Sequence, residues 1–267
     1  MNKRSLCALA LLASISFGSN AIASETNEAL FDRASTALEK KKIAQAIQDF
    51  ETLADQAPPH PDMAFNRGVA YVFRARSTSA VVGDLGRAAA AFEEAYRLNP
   101  RDREAERALE LVRAEVTRRR SKLDKEDVVV RPSLDRVIIR SLPSAAWAVL
   151  AVALAVVFAV GLYLRQRTTG VAKVIGAVSA PLSFVLVAIV GPLAWLAEDL
   201  ERTVRPAVVV AVETQLTDTD GNPIEGPPIP EASLVEVEAR QGDRYPARWG
   251  SYAGWLPAEH VRPLLVK

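Results

Sequence analysis

Few residues in this chain could do chemistry, and they are scattered. His60 sits among prolines in Pro58-Pro59-His60-Pro61, and His260 lies in the distant C-terminal part. The sole cysteine, Cys7, lies in an apolar N-terminal stretch. A metal centre needs such ligands clustered at short spacings, so none is expected. Asp218-Thr219-Asp220-Gly221-Asn222 has the composition of a calcium loop. Its first ligand position would fall on Leu216 and its twelfth on Pro227, so the calcium-loop pattern fails and a solvated turn is the better reading. Glu93-Glu94 reads as an acid pair on a helix surface. There is no phosphate-cradling glycine loop and no G-x-S-x-G. The sequence predicts no catalytic constellation, no metal and no cofactor, and hence a protein that is not an enzyme.

The elements that would position any site are organised around two uncharged apolar runs, Ala145–Leu164 and Val174–Leu196, of 20 and 23 residues. At helical rise the first is roughly 30 Å long, the thickness of a bilayer's hydrocarbon core. Only nine residues, Arg165–Lys173, lie between them. The expectation is a transmembrane helical hairpin, apolar all round and with no neighbour able to wrap it. Trp147 and Trp195 would mark one membrane interface and Tyr163 the other. Ala151, Ala155 and Ala159 form a small-residue stripe, Gly176 and Ala180 a shorter one, and such stripes let helices approach closely. Pro181 and Pro192 are expected to kink or end the second helix.

Residues 1–23 read as a secretory signal, with Lys3 and Arg4, the apolar stretch Leu6–Phe17 and the small-x-small site Ala21-Ile22-Ala23. That would place the segments on either side of the hairpin outside the cytoplasm. Arg165, Arg167 and Lys173 in the loop fit the cytoplasmic side, and Glu198, Asp199 and Glu201 fit the outer one. A mature chain without Cys7 would have no disulfide or thiol chemistry. The net charge of +1 argues against nucleic acid as a partner.

Residues 24–122 read as a helical domain with an internal repeat. Ala46, Phe50, Leu53 and Pro58 share their spacing with Ala88, Phe92, Ala95 and Pro100. A small residue marks a close helix crossing, bulky residues one turn on fill the core, and proline stops the helix. The spacing resembles the second helix of a tetratricopeptide repeat. Gly68 and Tyr71 match that family's first-helix small residue and aromatic, while Ala34 and Ala37 stand there in the poorer first copy. The extra length of the second copy falls around Ser77–Asp84, read as a longer loop. Asp102–Lys122 looks like a closing helix with the stripe Leu109, Val112 and Val116. Its Arg118-Arg119-Arg120 reads as a solvated end whose cations suit the helix dipole. The resemblance implies a concave groove for an extended peptide or helix, faced by Phe31, Phe65, Val69 and Phe73. The same residues would also serve simply to pack the helix pairs.

Residues 123–144 form a linker with two apolar clusters, Val128–Val130 and Val137–Ile139, readable as short strands or as juxtamembrane packing. A second linker, 197–206, follows the hairpin of residues 145–196. Residues 207–267 change period. Ala207–Leu216 is β-rich, Thr217–Ser233 is a long turn-rich loop, and Leu234–Ala239 alternates apolar with acidic. Further strands are expected at Tyr245–Trp249, Ala253–Leu256 and Val261–Leu265, with a 3₁₀ turn at Pro257–His260. Arg248-Trp249, Gly254-Trp255-Leu256-Pro257 and Val261-Arg262-Pro263-Leu264 resemble a bacterial SH3-like barrel. Barrels of that kind outside the cytoplasm commonly bind peptidoglycan or peptides. Tyr252 and Trp255 would line such a site, Trp255 more naturally serving as core.

The fold class is thus a multidomain membrane protein: tetratricopeptide helices, a two-helix hairpin and a small all-β barrel. Signal, helices, hairpin and tail in this order resemble the E component of the Bacteroides aerotolerance (Bat) group. That resemblance implies a bacterial inner-membrane adaptor with two spans, partnering membrane-anchored von Willebrand A domain proteins and a MoxR-type ATPase. The alternative is a protein that binds or senses peptidoglycan through its tail.

Overall fold

The computed structural model describes residues 27–123, 125, 134–139 and 141–265. The signal segment with Cys7 and the Val128–Val130 cluster lie outside the described residues.

The helical part begins with α1 (27–39), α2 (Ile43–Gln56), α3 (Pro61–Ala75), α4 (Asp84–Leu98) and α5 (Arg103–Ser121). Their boundaries follow local chemistry. His60 caps α3, its Nδ1 accepting the Asp62 amide at 3.3 Å, and Pro61 follows at the first helical position. Asp102 caps α5 by accepting from the amides of Glu104 and Ala105. Both copies of the repeated spacing are buried: Ala46, Phe50 and Leu53 on α2, and Ala88, Phe92 and Ala95 on α4. Gly68 is required where α3 crosses α4, because a Cβ there would lie 2.7 Å from the Phe92 ring. Helix α5 packs Leu109, Val112 and Val116 inward, as its stripe predicts.

Two readings of charged residues are corrected. Glu93 and Glu94 do not lie on a surface; both are buried. Glu93 accepts from Arg97 Nε at 2.7 Å and Arg113 Nη2 at 3.0 Å, and Glu94 from Arg67 Nη2 at 3.0 Å. Nor is Arg118-Arg119-Arg120 wholly solvated, because Arg120 is buried 3.6 Å from Glu213 of the tail. Burying a cation without a nearby carboxylate would cost several kcal/mol, so each pairing is what makes the placement tolerable.

The hairpin is α7 (Ser144–Arg167) and α8 (Val171–Thr203), preceded by the short α6 (Leu134–Ile139). The 137–139 cluster is therefore helical. Both long helices are long and apolar enough to cross a membrane. Their outer faces, with Val149, Val152, Val178 and Phe184, stay exposed, which a soluble fold does not tolerate over such an area. Four details differ from expectation. The turn is only residues 168–170, because helix consumes both ends of the anticipated loop. Of the two outcomes expected of Pro181 and Pro192, an end to the helix does not occur: α8 runs through both and through most of the anticipated 197–206 linker. Ala155 and Ala159 face outward. The close approach instead uses Gly161 against Gly176 and Ala180, where a Cβ on Gly176 would meet the Gly161 carbonyl at 2.5 Å. Finally, Trp147 is no interface anchor. It is buried, and its Nε1–H donates to the Ile139 carbonyl at 3.0 Å, fastening α6 to the hairpin. Trp195, 68% exposed, remains free to anchor.

The tail is a five-stranded antiparallel sheet in the order β6-β5-β4-β1-β7, with a separate β2-β3 pair. The strands are β1 (Arg205–Val209), β2 (Glu213–Thr214), β3 (Ile229–Pro230), β4 (Leu234–Val237), β5 (Arg244–Trp249), β6 (Tyr252–Pro257) and β7 (Val261–Pro263), with a 3₁₀ turn Ala258–His260. Ala207, Val209, Val235, Val237, Trp249 and Leu256 fill its core. Trp255 does not, contrary to the sequence reading. Alternation along β6 turns Leu256 inward and leaves Trp255 half-buried on the other face.

The α1–α5 helices and the sheet form one body. Strand β1 lies against α4, and its pleat divides the run Ala207-Val208-Val209 between two cores. Ala207 and Val209 enter the sheet's core, while Val208 enters the helical core together with Ala232 and Leu264. Backbone contact is close: a Cβ on Gly86 would meet the Val209 carbonyl at 2.6 Å. Replacing Gly86 by valine is expected to wedge the sheet off α4. In a thermal melt of the detergent-purified chain, one cooperative transition should split into two, the helical one near its original temperature. A single unshifted transition would show that the contact carries no coupling.

Candidate functional site

The described residues contain no cluster of three or more metal-ligating side chains. What they contain is a partly open hydrophobic stripe backed by a buried ionic network, and both are set by the pitch of α3. Residues 65, 69 and 73 recur every four positions and share one face. Phe65 tilts against Phe92 with ring centroids 5.4 Å apart, Val69 is half-buried, and Phe73 is 51% exposed. On α1, Phe31 makes an edge contact with Phe50 at 6.1 Å. Phe31 and Phe65 are therefore committed largely to packing, and the free apolar area grows along the stripe toward Phe73.

Behind it, the next face of α3 carries Met63, Arg67 and Tyr71, all buried. Arg67 is fully enclosed; it donates to Glu94 on α4 and lies 3.8 Å from Glu51 on α2. Glu51 also accepts the Tyr71 hydroxyl at 2.8 Å and a bidentate grip from Arg262 of β7, at 3.0 and 2.5 Å. One carboxylate thus joins α2, α3 and the sheet. A neighbouring cluster repeats the device: Asp84 accepts from Nε and Nη2 of Arg74 and from the Val81 amide. Glu231 accepts the Gly86 amide at 2.7 Å, while Glu213 takes Lys125 and faces Arg120.

Burial pushes the Glu51 carboxyl upward, but the bonded Arg262, with Arg67 and Tyr71, outweighs it and holds Glu51 below the ordinary carboxylate range. The Tyr71 hydroxyl is pushed up to about 12 by burial and by Glu51 beside it. Burial raises the Glu231 carboxyl, against the Gly86 amide that favours its charged form.

Tyr252 is half-buried on β6 and packs on the sheet's core, whereas Trp255 lines a separate cleft with Arg136 and Pro246. The structure does not bring these two aromatics into one platform. His260 sits in the expected 3₁₀ turn, with Nδ1 2.9 Å from the Thr214 hydroxyl. Asp218 binds the amides of Asp220 and Asn222, a self-contained turn. Sequence reading missed the Glu51–Arg67–Glu94–Arg262 network. One signal was present: Arg67 falls on the face of α3 shared by Met63 and Tyr71, where a charge requires a buried partner. Nothing local identified that partner as Glu94 or extended the network to Arg262, because the pairings are tertiary.

Comparison with known proteins returns no matching family model, no matching curated protein and no matching solved structure.

The network predicts two pH limbs. Glu51 is depressed on folding, so its contribution is present above the unfolded carboxylate value of about 4.3 and is lost as pH falls through the lower folded value. Tyr71 is raised, so its contribution is present below about 10 and is lost as pH rises toward 12. Glu231 runs opposite to Glu51, because its raised value makes the neutral form the better tolerated one. The informative quantity is therefore the difference between chains: Glu51→Gln should flatten the acid limb of melting temperature against pH, and Tyr71→Phe the alkaline limb. The buried pair gives a further expectation. Glu94→Ala should cost about 3–5 kcal/mol in denaturant unfolding, since it strands Arg67. The double change Arg67→Met, Glu94→Leu should cost less than the sum of its single changes.

Proposed function

We propose that this chain is a non-enzymatic, membrane-anchored adaptor that holds a protein partner on its helical face. The carrying observation is the side on which the sheet docks. It packs on α4 and reaches α2 through Arg262, leaving the α3 stripe toward Phe73 uncovered. A surface half-exposed in phenylalanine and valine, braced by a buried ionic network, suits an amphipathic helix or extended segment. The paired helices fit two tetratricopeptide units with a closing helix, and the tail fits a bacterial SH3-like barrel. The order of parts supports the resemblance to the Bat E component. On that reading the partners are von Willebrand A domain proteins and a MoxR-type ATPase system at a bacterial inner membrane, with both soluble segments periplasmic. The tail as a peptidoglycan reader is the weaker reading, because Tyr252 and Trp255 do not share a surface.

Two measurements test this. Reporter fusions at residues 120 and 230 should report the same compartment and a fusion at 169 the opposite one; ends on opposite sides would end the two-span reading. Full-length protein with Phe73→Glu, a change at an exposed position that should leave the melt unaltered, is expected to retain envelope proteins at least tenfold less well than the parent chain. Equal retention would remove the stripe as the docking surface.

A further inference from the structure

The base of the hairpin opens into a cleft of about 1090 Å³, walled by the end of α8, the residues before α7, the start of β1 and the end of α2. A second cavity of about 450 Å³ adjoins it, sharing Arg97, Val204 and Pro206 in its lining. The apolar walls come from Leu142, Leu200 and Leu264. Arg97, Arg202 and Arg205 line the larger cleft, and Arg136 and Arg248 extend the set into the smaller. Three of the five are already paired, Arg97 with Glu93, Arg202 with Glu198 and Arg136 with Glu236. The other acids of the lining are Asp55 and Glu201. Much of the acid is already engaged: Glu201 accepts the Ser144 amide at 3.1 Å and its hydroxyl at 2.6 Å. Among the described residues, the side chains of Arg205 and Arg248 have no ion pair.

We infer that this juxtamembrane cleft is a binding site for the phosphate headgroup of an anionic phospholipid, whose acyl chains lie along the exposed face of the hairpin. The inference rests on the two-span reading and goes beyond the adaptor function. Three features select this occupant. The cleft lies at the start of α7 and the end of α8, where the apolar stretches of both helices stop, so a lipid bound along them presents its headgroup at this depth. Trp195, exposed near the end of α8, marks the same level. Arginine's planar fork matches phosphate oxygens in a bidentate way, and two arginines without an ion pair beside leucine side chains favour a ligand with an anionic head and an apolar body. A zwitterionic headgroup brings its own cation and gains less from those two arginines.

The test uses the full chain purified in detergent. It is incubated with phosphatidylglycerol or with phosphatidylcholine of identical acyl chains, and lipid adducts are counted by native mass spectrometry. The parent protein should retain phosphatidylglycerol at least fivefold better than phosphatidylcholine, and glycerol phosphate without acyl chains should not compete at equal concentration. The double change Arg205→Gln, Arg248→Gln should abolish the preference, while Arg107→Gln, on an exposed part of α5, should keep it. Equal retention of both lipids, an unchanged preference in the double variant, or full competition by glycerol phosphate would overturn the lipid site. An alkaline wash of membranes separates the two failures. A chain released by the wash refutes the spanning hairpin itself, whereas a chain that stays but shows no headgroup preference refutes only the lipid site.

Discussion

Strand β1 is buried on both faces, and the architecture depends on that fact. A strand in a small sheet with one wet face would alternate apolar and polar residues, as Val235-Glu236-Val237-Glu238 does. The run Ala207-Val208-Val209 does not alternate, because Val208 serves the helical core while its neighbours serve the sheet. Removing the sheet would expose the helical core at Val208, Ala232 and Leu264. Removing the helices would uncover one face of β1. The Glu51–Arg262 pair and the Gly86–Glu231 bond then fix orientation where apolar contact alone would allow sliding.

The ionic network follows from that docking. Burying Arg67 between α2, α3 and α4 creates a demand that Glu94 and Glu51 meet together. Arg262 then supplies the charge that keeps Glu51 ionised. The sheet therefore takes part in the electrostatics of the helical interior as well as covering part of it.

Much of this was legible in the residue order. The two apolar runs gave the hairpin, the Ala/Phe/Leu/Pro spacing gave α2 and α4, and turn residues bounded the strands of the tail close to where they form. What failed shares a cause. Residue type alone points Trp147 to a membrane interface and Trp255 to the core, but their places are set by which face meets a neighbour. Acids usually lie on surfaces, which is where sequence alone puts Glu93 and Glu94, and their arginine partners lie on three different helices, α3, α4 and α5. The alanine stripe of α7 gave way to Gly161 because the crossing is decided by the partner helix, whose Gly176 and Ala180 were visible. Of the stripe proposed for docking, the four-residue spacing on α3 could be read directly. That Phe31 and Phe65 are mostly spent on their neighbours could not.

Only Val204 separates the last turn of α8 from the first residue of β1. Such a junction has no spare length. Whatever depth the end of α8 takes, the first strand takes with it, and through Val208 so does α4. The hairpin is therefore a short tether: it limits how far the α3 face can stand from the point where α8 stops.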